Sequence, residues 1–448
     1  MASLGARSRP LAGGQSLMPL LNLRQCDLAR VVDLAAIEEL QRLAIDGDVL
    51  AIGAGVTMAR LERSPLVRRH AHVLVGALGL VGNPQVRARG TAGGNVAHGD
   101  AVSEVITTLV ALGARAVVQG PSGRRVASVQ GLTLTDDELL VELRVPMQGD
   151  HGGAIFEIGA RYAARALVVA VAVVALAADG TIARARVAVG GVAAAPAELG
   201  ADDVLRGLAP ADARVASALA HALDRLPAMD DPRADADYRR EVGAELAARA
   251  VRDAAARVCS DGDAVGKSGN GTYGLADAER RVPFNDDFRV AAPEEEQAGD
   301  VEVALTVNGE NRRACVEPRT LLSDLVRGPF ALTATHVGCE HGVCGACNVL
   351  VDGTAVRSCL MLAVQADGRS VQTLEGLRDR PEVAALIDRF VAEHSLQCGF
   401  CTPGFIVTLA ELRRSRTPVT PERLIGNICR CTGYEPILRA SKDPHERV

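Results

Sequence analysis

Eight of the eleven cysteines fall into two groups in the last quarter of the chain. Close-spaced thiols of this kind bind metals more often than they form disulfides in a reducing compartment. The first group has the spacing C-x4-C-x2-C followed by a distant fourth cysteine, which is typical of plant-type [2Fe–2S] sites. Structural zinc sites favour paired C-x2-C units instead. The first group is Cys339, Cys344, Cys347 and Cys359; the second is Cys398, Cys401, Cys429 and Cys431.

The second group combines C-x2-C with C-x-C, and this spacing alone leaves zinc open as an alternative. Two loops between helical segments carry the pairs, which favours an iron–sulfur site. Cys26, Cys259 and Cys315 have no partner at ligand spacing, and we expect free thiols at all three. We expect His341, inside the first group, to be a surface residue rather than a ligand.

Two glycine-rich segments stand in the N-terminal part, A-G-G-Q-S-L at 12–17 and R-G-T-A-G-G-N at 89–95. Glycine lets backbone N–H groups approach a ligand closely, and a helix that starts nearby favours phosphate. Neither segment fits the Rossmann or P-loop pattern. Taken alone, each favours an ordinary tight turn over a cofactor site.

The elements that must position these residues are suggested by periodicity and turn signals. Residues 1–146 indicate an α/β region with strands at 31–34 and 49–53 and a helix at 101–112. Asp179-Gly180 separates two β-rich runs, which predicts a hairpin. Two or three helices follow at 201–257, and the Gly-, Asp- and Glu-rich residues 258–300 indicate a linker whose G-K-S triplet lacks a P-loop context.

From residue 301 onward the pattern becomes regular again. Hairpins are predicted around Asn308-Gly309 and Asp352-Gly353, with a short helix at 321–326 between them. Helical spacing follows at 383–393, 404–414, 421–427 and after Pro436. We therefore divide the chain into domains at 1–148, 149–257, 301–376 and 377–448, joined across the linker 258–300.

Composition excludes several classes of partner. The chain has 448 residues with 49 basic and 55 acidic side chains, a net charge of −6, which argues against nucleic acid or an anionic membrane surface. Aromatic residues make up only 2% and tryptophan is absent, so the cores must consist of Ala, Val and Leu.

The longest apolar run, 166–178, is too short to span a bilayer. No secretory signal is visible, and we expect a cytoplasmic protein.

Residues 301–440 resemble the iron–sulfur subunit of the molybdenum hydroxylases, the family of xanthine dehydrogenase, aldehyde oxidoreductase and aerobic carbon monoxide dehydrogenase. The resemblance implies a ferredoxin-like β-grasp domain and a four-helix domain, each with a [2Fe–2S] cluster. The matching stretches are T-V-N-G (306–309), G-C-E-H-G-V-C-G-A-C (338–347), V-D-G (351–353), Q-C-G-F-C-T-P-G (397–404) and N-I-C-R-C-T-G-Y (427–434).

Residues 10–254 are similar to the FAD-binding subunit of the same family, through stretches that include 12–17, 52–57, 82–95 and 237–240. The resemblance implies an α/β FAD-binding domain with an α+β C-terminal subdomain, so the whole chain would be multidomain α+β. Fewer residues precede Ala12 than the family usually has, 126–131 is shortened, and Glu157 stands where many relatives have Lys. The implied FAD contacts are Ala12, Gly13, Gly14, Gln15, Ser16, Leu17, Thr91, Ala92, Gly93, Gly94, Asn95 and Glu104.

The resemblance also implies a function. No region is left for molybdopterin, so the molybdenum centre would lie on a separate large subunit, in a heterotetramer built as a dimer of heterodimers. Electrons would pass through the second cysteine group, then the first, then FAD, to an external acceptor. Gln397 and Cys431 would lie on the side facing the pterin, and no catalytic residue is expected in this chain. Two alternatives are a stand-alone flavin iron–sulfur reductase without molybdenum and a zinc-stabilised interaction module.

Overall fold

The computed structural model describes residues 7–147, 149–159, 165–258 and 299–442. These residues form two compact units, each with its own hydrophobic core. The first unit contains 7–13, 30–82 and the described part of 91–258. The second contains 299–442 together with two short segments, 14–29 and 83–90. Most of the predicted linker, with Cys259 and the G-K-S triplet, lies outside the described residues.

The elements are named here in chain order. The strands are β1 Ser8–Leu11, β2 Arg30–Asp33, β3 Leu43–Asp46, β4 Val49–Gly53, β5 Arg115–Gly120, β6 Gly123–Ser128, β7 Leu139–Pro146, β8 Gly152–Gly159, β9 Ala166–Leu176, β10 Ile182–Gly190, β11 Ala197–Glu198, β12 Val301–Val307, β13 Glu310–Val316, β14 Asn348–Val351, β15 Thr354–Arg357 and β16 Ser370–Gln372. The helices are α1 Leu17–Asn22, α2 Met58–Arg63, α3 Pro65–His70, α4 His72–Leu80, α5 Pro84–Arg89, α6 Ala92–His98, α7 Glu104–Ala111, α8 Asp202–Leu205, α9 Ala213–Asp224, α10 Ala236–Val258, α11 Leu322–Arg327, α12 Leu374–Leu377, α13 Pro381–Ala392, α14 Thr402–Arg414, α15 Pro421–Leu424 and α16 Glu435–Ser441.

Three sheets build the first unit. β1 and β2 pair in parallel, and a five-stranded antiparallel sheet has the order β3-β4-β7-β5-β6. Helix α7 lies against the core of this part with every residue from Val105 to Ala111 buried. The predicted strands at 31–34 and 49–53 and the predicted helix at 101–112 are all present. The helix begins three residues later than predicted because Ser103 caps it, accepting a hydrogen bond from the backbone N–H of Ile106.

The third sheet of this unit has the order β11-β10-β9-β8 and is antiparallel throughout. β9 and β10 form the hairpin predicted at Asp179-Gly180. Helices α8, α9 and α10 follow, as predicted, and α10 packs along β8 and β9. The buried residues here are almost all Ala, Val and Leu, in line with the low aromatic content.

The second unit combines a five-stranded mixed sheet with short helices. The sheet has the order β13-β12-β16-β14-β15, and both predicted hairpins lie in it, at Asn308-Gly309 and Asp352-Gly353. Helix α11 matches the helix predicted at 321–326. Helices α13, α14, α15 and α16 match the four predicted helical stretches, and α5 packs against β15. No helix among the described residues is long and apolar enough to cross a membrane.

Candidate functional site

The first cysteine group lies at one end of the sheet in the second unit. Cys339, Cys344 and Cys347 stand in the loop between α11 and β14, and Cys359 follows β15 in a 3-10 helix, Ser358–Leu360. The structure brings the four side chains together. The backbone N–H of Cys344 donates to Cys339 Sγ at 3.4 Å, and thiol hydrogen bonds join Cys339 to Cys344 and Cys359. Cys347 and Cys359 are both buried.

The sharp course of this loop depends on glycine. Gly345 has φ +75°, in the left-handed region that side chains with a Cβ disfavour. A Cβ at this position would also lie 2.9 Å from Asn427 Nδ2 and 3.1 Å from Arg357 Nη1. Replacement of Gly345 by any other residue would therefore push this loop away from Asn427 and Arg357. His341 is exposed, as expected, and its Nδ1 contacts the carbonyl of Cys339.

The second cysteine group is brought together by helices. Cys401 occupies the N-cap position of α14 with Cys398 just before it, while Cys429 and Cys431 lie between α15 and α16. The Sγ atoms of Cys398 and Cys431 are 3.3 Å apart. The backbone N–H of Cys429 donates to Tyr434 Oη at 3.1 Å. Cys398 and Cys431 are exposed, whereas Cys429 is buried.

Both groups offer four thiols and no competing carboxylate or imidazole ligand in their hydrogen bonds, which suits iron–sulfur clusters. Among the described residues, no group of three or more His, Cys, Asp or Glu is arranged to hold one metal ion. A [2Fe–2S] cluster is held by four cysteine sulfurs, two on each iron. Four thiols that lie in contact as two pairs are therefore compatible with such a cluster. The four thiols of each group would hold one cluster, which carries one electron at a time.

Two residues near the first group were not foreseen from the sequence. Arg357 is buried, and its guanidinium donates to the carbonyls of Gly342 and Gly426 and to Asn348 Oδ1. Asn22, at the end of α1, donates from Nδ2 to the carbonyls of Glu340 at 2.6 Å and Cys359 at 2.9 Å. A charged residue two positions before a ligand could have signalled Arg357, but nothing in the sequence marks Asn22.

The glycine-rich segment at 89–95 is more than the predicted tight turn, because α6 begins inside it. Thr91 caps this helix by accepting from the backbone N–H of Gly94 at 3.0 Å. The N–H groups of Ala92 and Gly93 donate to the carbonyls of Val56 and Ala54. The amides of these three residues are thus used by the protein, so a ligand here would meet the small surface of the loop rather than these donors.

Small residues allow close packing between segments in this part of the first unit. A Cβ on Gly94 would lie 3.4 Å from the Cβ of Ala12, so the two glycine-rich segments touch at these positions. A Cβ on Gly93 would collide with the backbone of Ala54. Glycine at 93 and 94 therefore allows the protein's own segments to pack closely at the start of α6. Gly14, Gln15, Ser16 and Leu17 belong to the second unit, where Gly14 has φ +77° and Leu17 begins α1.

Glu104 and Glu157 are partly buried and hydrogen-bonded to each other. Burial, together with the charges of Glu157 and Asp100, raises the pKa of Glu104 to about 7. Burial also raises the pKa of Glu157. Ser103, next to Glu104, donates to Asn95 Oδ1 at 2.5 Å, which connects this carboxyl pair to the segment at 91–95. The sequence singled out both acids separately, and the fold joins them.

Comparison with protein families gives four matches along the chain. Residues 1–148 match the FAD binding domain in molybdopterin dehydrogenase, and residues 154–254 match the CO dehydrogenase flavoprotein C-terminal domain. Residues 305–373 match the 2Fe-2S iron-sulfur cluster binding domain, and residues 373–442 match a [2Fe-2S] binding domain. The chain thus carries an FAD domain and two [2Fe–2S] domains.

Individual relatives cover the two halves separately. The nicotine 6-hydroxylase small subunit of Paenarthrobacter nicotinovorans is 48% identical over 32% of this chain and 88% of its own length. The carbon monoxide dehydrogenase medium chain of Hydrogenophaga pseudoflava is 32% identical over 57% of this chain and 92% of its own length. A solved structure of carbon monoxide dehydrogenase from Oligotropha carboxidovorans superposes with a TM-score of 0.55 at 30% identity, over 57% of this chain and 92% of that one.

Proposed function

Since the chain belongs to the xanthine dehydrogenase family of molybdenum hydroxylases, as a fusion of its FAD-binding and [2Fe–2S] subunits, we propose how its residues perform that role. The chain is an electron-transfer subunit of a hydroxylase whose molybdenum cofactor is bound by a separate subunit. When bound, FAD accepts electrons singly and releases two, which adapts the one-electron clusters to a two-electron acceptor.

The observation that carries the order of transfer is the different surroundings of the two thiol groups. Cys398 and Cys431 are exposed, so the second group can receive electrons from outside the chain. Cys347 and Cys359 of the first group are buried. Asn22 binds the carbonyl of Cys359 at one end of α1, and Leu17, a proposed FAD contact, begins the same helix. The first group is therefore the one connected to the FAD segment.

The surface around the second group fits a protein partner. Large apolar side chains are exposed here, and an exposed apolar cluster is typical of an interaction site. We propose that the large molybdopterin-binding subunit docks on it, with exposed Gln397 facing the pterin, in a dimer of heterodimers. The exposed apolar residues beside the ligands are Leu396, Phe400, Ile428 and Tyr434.

We further assign the FAD contacts to 12–17, Thr91–Asn95 and Glu104, a ferredoxin-like β-grasp domain to 301–376 and a four-helix domain to 377–448. The domains at 1–148 and 149–257 and the linker at 258–300 complete this division. FAD would pass its electrons to an external acceptor. A cytoplasmic location follows from the chemistry of the eight ligand thiols, which must stay reduced.

Rapid mixing of the purified complex with its substrate tests the proposed order. We expect the second cluster to be reduced first, then the first cluster, then FAD, each followed by its own spectrum. Reduction of the isolated chain by an organic substrate would instead indicate a stand-alone reductase. A colourless chain that binds zinc would indicate an interaction module.

A surface substitution tests the docking site. Leu396→Asp places a charge in the apolar surface beside Cys398, and we expect affinity for the large subunit to fall roughly tenfold. Val126→Asp is the matched control, because Val126 is also an exposed apolar residue but lies on β6 of the first unit. Equal loss of affinity in both variants, with cluster spectra unchanged, would contradict this site.

A further inference from the structure

Arg357 is one of the largest fully buried side chains in the described part of the chain, with 1% of its surface exposed. The three acceptors that its guanidinium binds are neutral: the carbonyls of Gly342 and Gly426 and the amide oxygen of Asn348. A guanidinium does not lose its proton in a protein. Burying a charge among neutral groups is costly unless an opposite charge lies close by.

The opposite charge is supplied by the first cysteine group. Arg357 stands two positions before Cys359, and its Nε donates at 3.0 Å to Gly342, which lies between the ligands Cys339 and Cys344. The four thiolates that would hold the cluster carry the opposite charge. The guanidinium thus lies buried at the end of β15, against the loop that carries the first cysteine group.

We propose that Arg357 is a positioning residue that makes the first cluster the stronger electron acceptor of the two. Reduction adds one negative charge to a cluster, and a buried cation stabilises that added charge. At the second group, Arg430 stands between Cys429 and Cys431 in the sequence, and it is exposed. Water and salt screen an exposed charge, so Arg430 stabilises the reduced second cluster far less.

The same guanidinium also fixes the distance between the two groups. Asn348, which accepts from Arg357, donates to Thr408 Oγ1 at 2.8 Å, and Thr408 donates to Asn427 Oδ1 at 3.1 Å. The backbone N–H of Ile428 donates to the carbonyl of Cys344 at 2.9 Å. This buried network joins the loop of the first group to the segment that leads into Cys429. The contacts of Arg357 therefore determine both the charge beside the first group and the spacing between the two cysteine groups.

The test is a redox titration of the full chain with its clusters and FAD bound, in which electron paramagnetic resonance follows each cluster separately. Arg357→Gln removes the charge, and we expect the midpoint potential of the first cluster to become more negative while that of the second moves less. Asn348→Asp keeps the shape and neutralises the guanidinium, so it should shift the first cluster in the same direction. Arg357→Lys keeps the charge and should preserve most of the potential.

Arg430→Gln is the matched control, since it removes a cation beside the second group that water already screens. We expect the midpoint potential of the second cluster to shift less in Arg430→Gln than that of the first cluster shifts in Arg357→Gln. If Arg357→Gln does not assemble its cluster, Asn348→Asp carries the test. An unchanged first potential in iron-loaded Arg357→Gln or Asn348→Asp would overturn the proposal. The direction of transfer rests on the proposed function, but a chemical reductant needs no large subunit, so the two can fail separately.

Discussion

The two cysteine groups hold the same number of thiols within one compact unit, yet their surroundings are opposite. The first group lies at one end of a β-sheet, with two of its ligands buried and a buried cation beside it. The second is held by helix ends, with Cys398 and Cys431 exposed among apolar side chains. Equal ligand chemistry therefore does not imply equal roles. Exposure suits the second group to exchange electrons with a partner, and burial suits the first group to hold an electron for FAD.

Removing one ligand from each group should produce the largest effect and show whether burial matters. In Cys347→Ala no water can take the place of the buried thiolate, and Arg357 loses part of the charge that balances it. We expect loss of the whole first cluster, from about four irons per chain to about two. The free energy of unfolding should fall by about 3 kcal/mol, as when one partner of a buried ion pair is removed. Iron analysis and denaturant unfolding measure both.

The matched variant is Cys431→Ala in the second group. Its position is exposed, so solvent can occupy the vacant coordination place and the cluster should be retained in part. The first cluster should keep its full signal. Complete and equal loss of iron in the two variants would mean that burial does not distinguish the groups.

The sequence was most informative where the chemistry is local. The ligands of the first group lie within nine residues apart from Cys359, and the hairpins at Asn308-Gly309 and Asp352-Gly353 need only their own turn residues. The network around Arg357 could not be predicted, because its acceptors come from Gly342, Asn348 and Gly426, which only the fold brings together. The zinc alternative for the second group was likewise decided by the family matches and not by spacing.

A substitution of Asn22 tests how the first cysteine group is connected to the FAD segment. We expect it to change stability and electron transfer less than removal of a cysteine ligand does. Asn22→Leu keeps the size of the side chain and removes both donors, to Glu340 and Cys359. Two hydrogen bonds of this kind contribute about 2 kcal/mol together. We expect that loss in stability and slower electron transfer from the first cluster to FAD, while reduction of the second cluster keeps its rate. Denaturant unfolding and rapid-mixing absorbance measure the two effects.

Leu23→Ala is the control, because Leu23 is the next residue and half of its surface is exposed. It should leave both the stability and the transfer rate near those of the parent. If Asn22→Leu lowers stability but leaves the rate of FAD reduction unchanged, the contact is structural and does not serve the relay.

Two partly buried acids of the first unit have opposite pKa shifts, and there the expected effect is smallest. Burial raises the pKa of Glu104 to about 7 from its ordinary 4.5. An acid whose pKa is raised in the folded state stabilises the fold fully below pH 4.5, and this contribution is lost as the pH rises through 7. Glu157→Gln removes the neighbouring charge but not the burial. It should therefore recover only about 1 kcal/mol at pH 8, seen as a flatter pH dependence of unfolding.

The comparison is Glu138, a partly buried acid whose hydrogen bond from Arg125 lowers its pKa to about 2. An acid with a lowered pKa stabilises the fold above its unfolded pKa and loses that contribution only as the pH falls toward 2. Glu138→Gln should therefore leave the slope of stability between pH 5 and 8 unchanged. Since the pairing of Glu104 with Glu157 joins residues far apart in the chain, only the fold revealed this pH window. Equal slopes in the parent and Glu157→Gln would show that Glu104 keeps its raised pKa through burial alone.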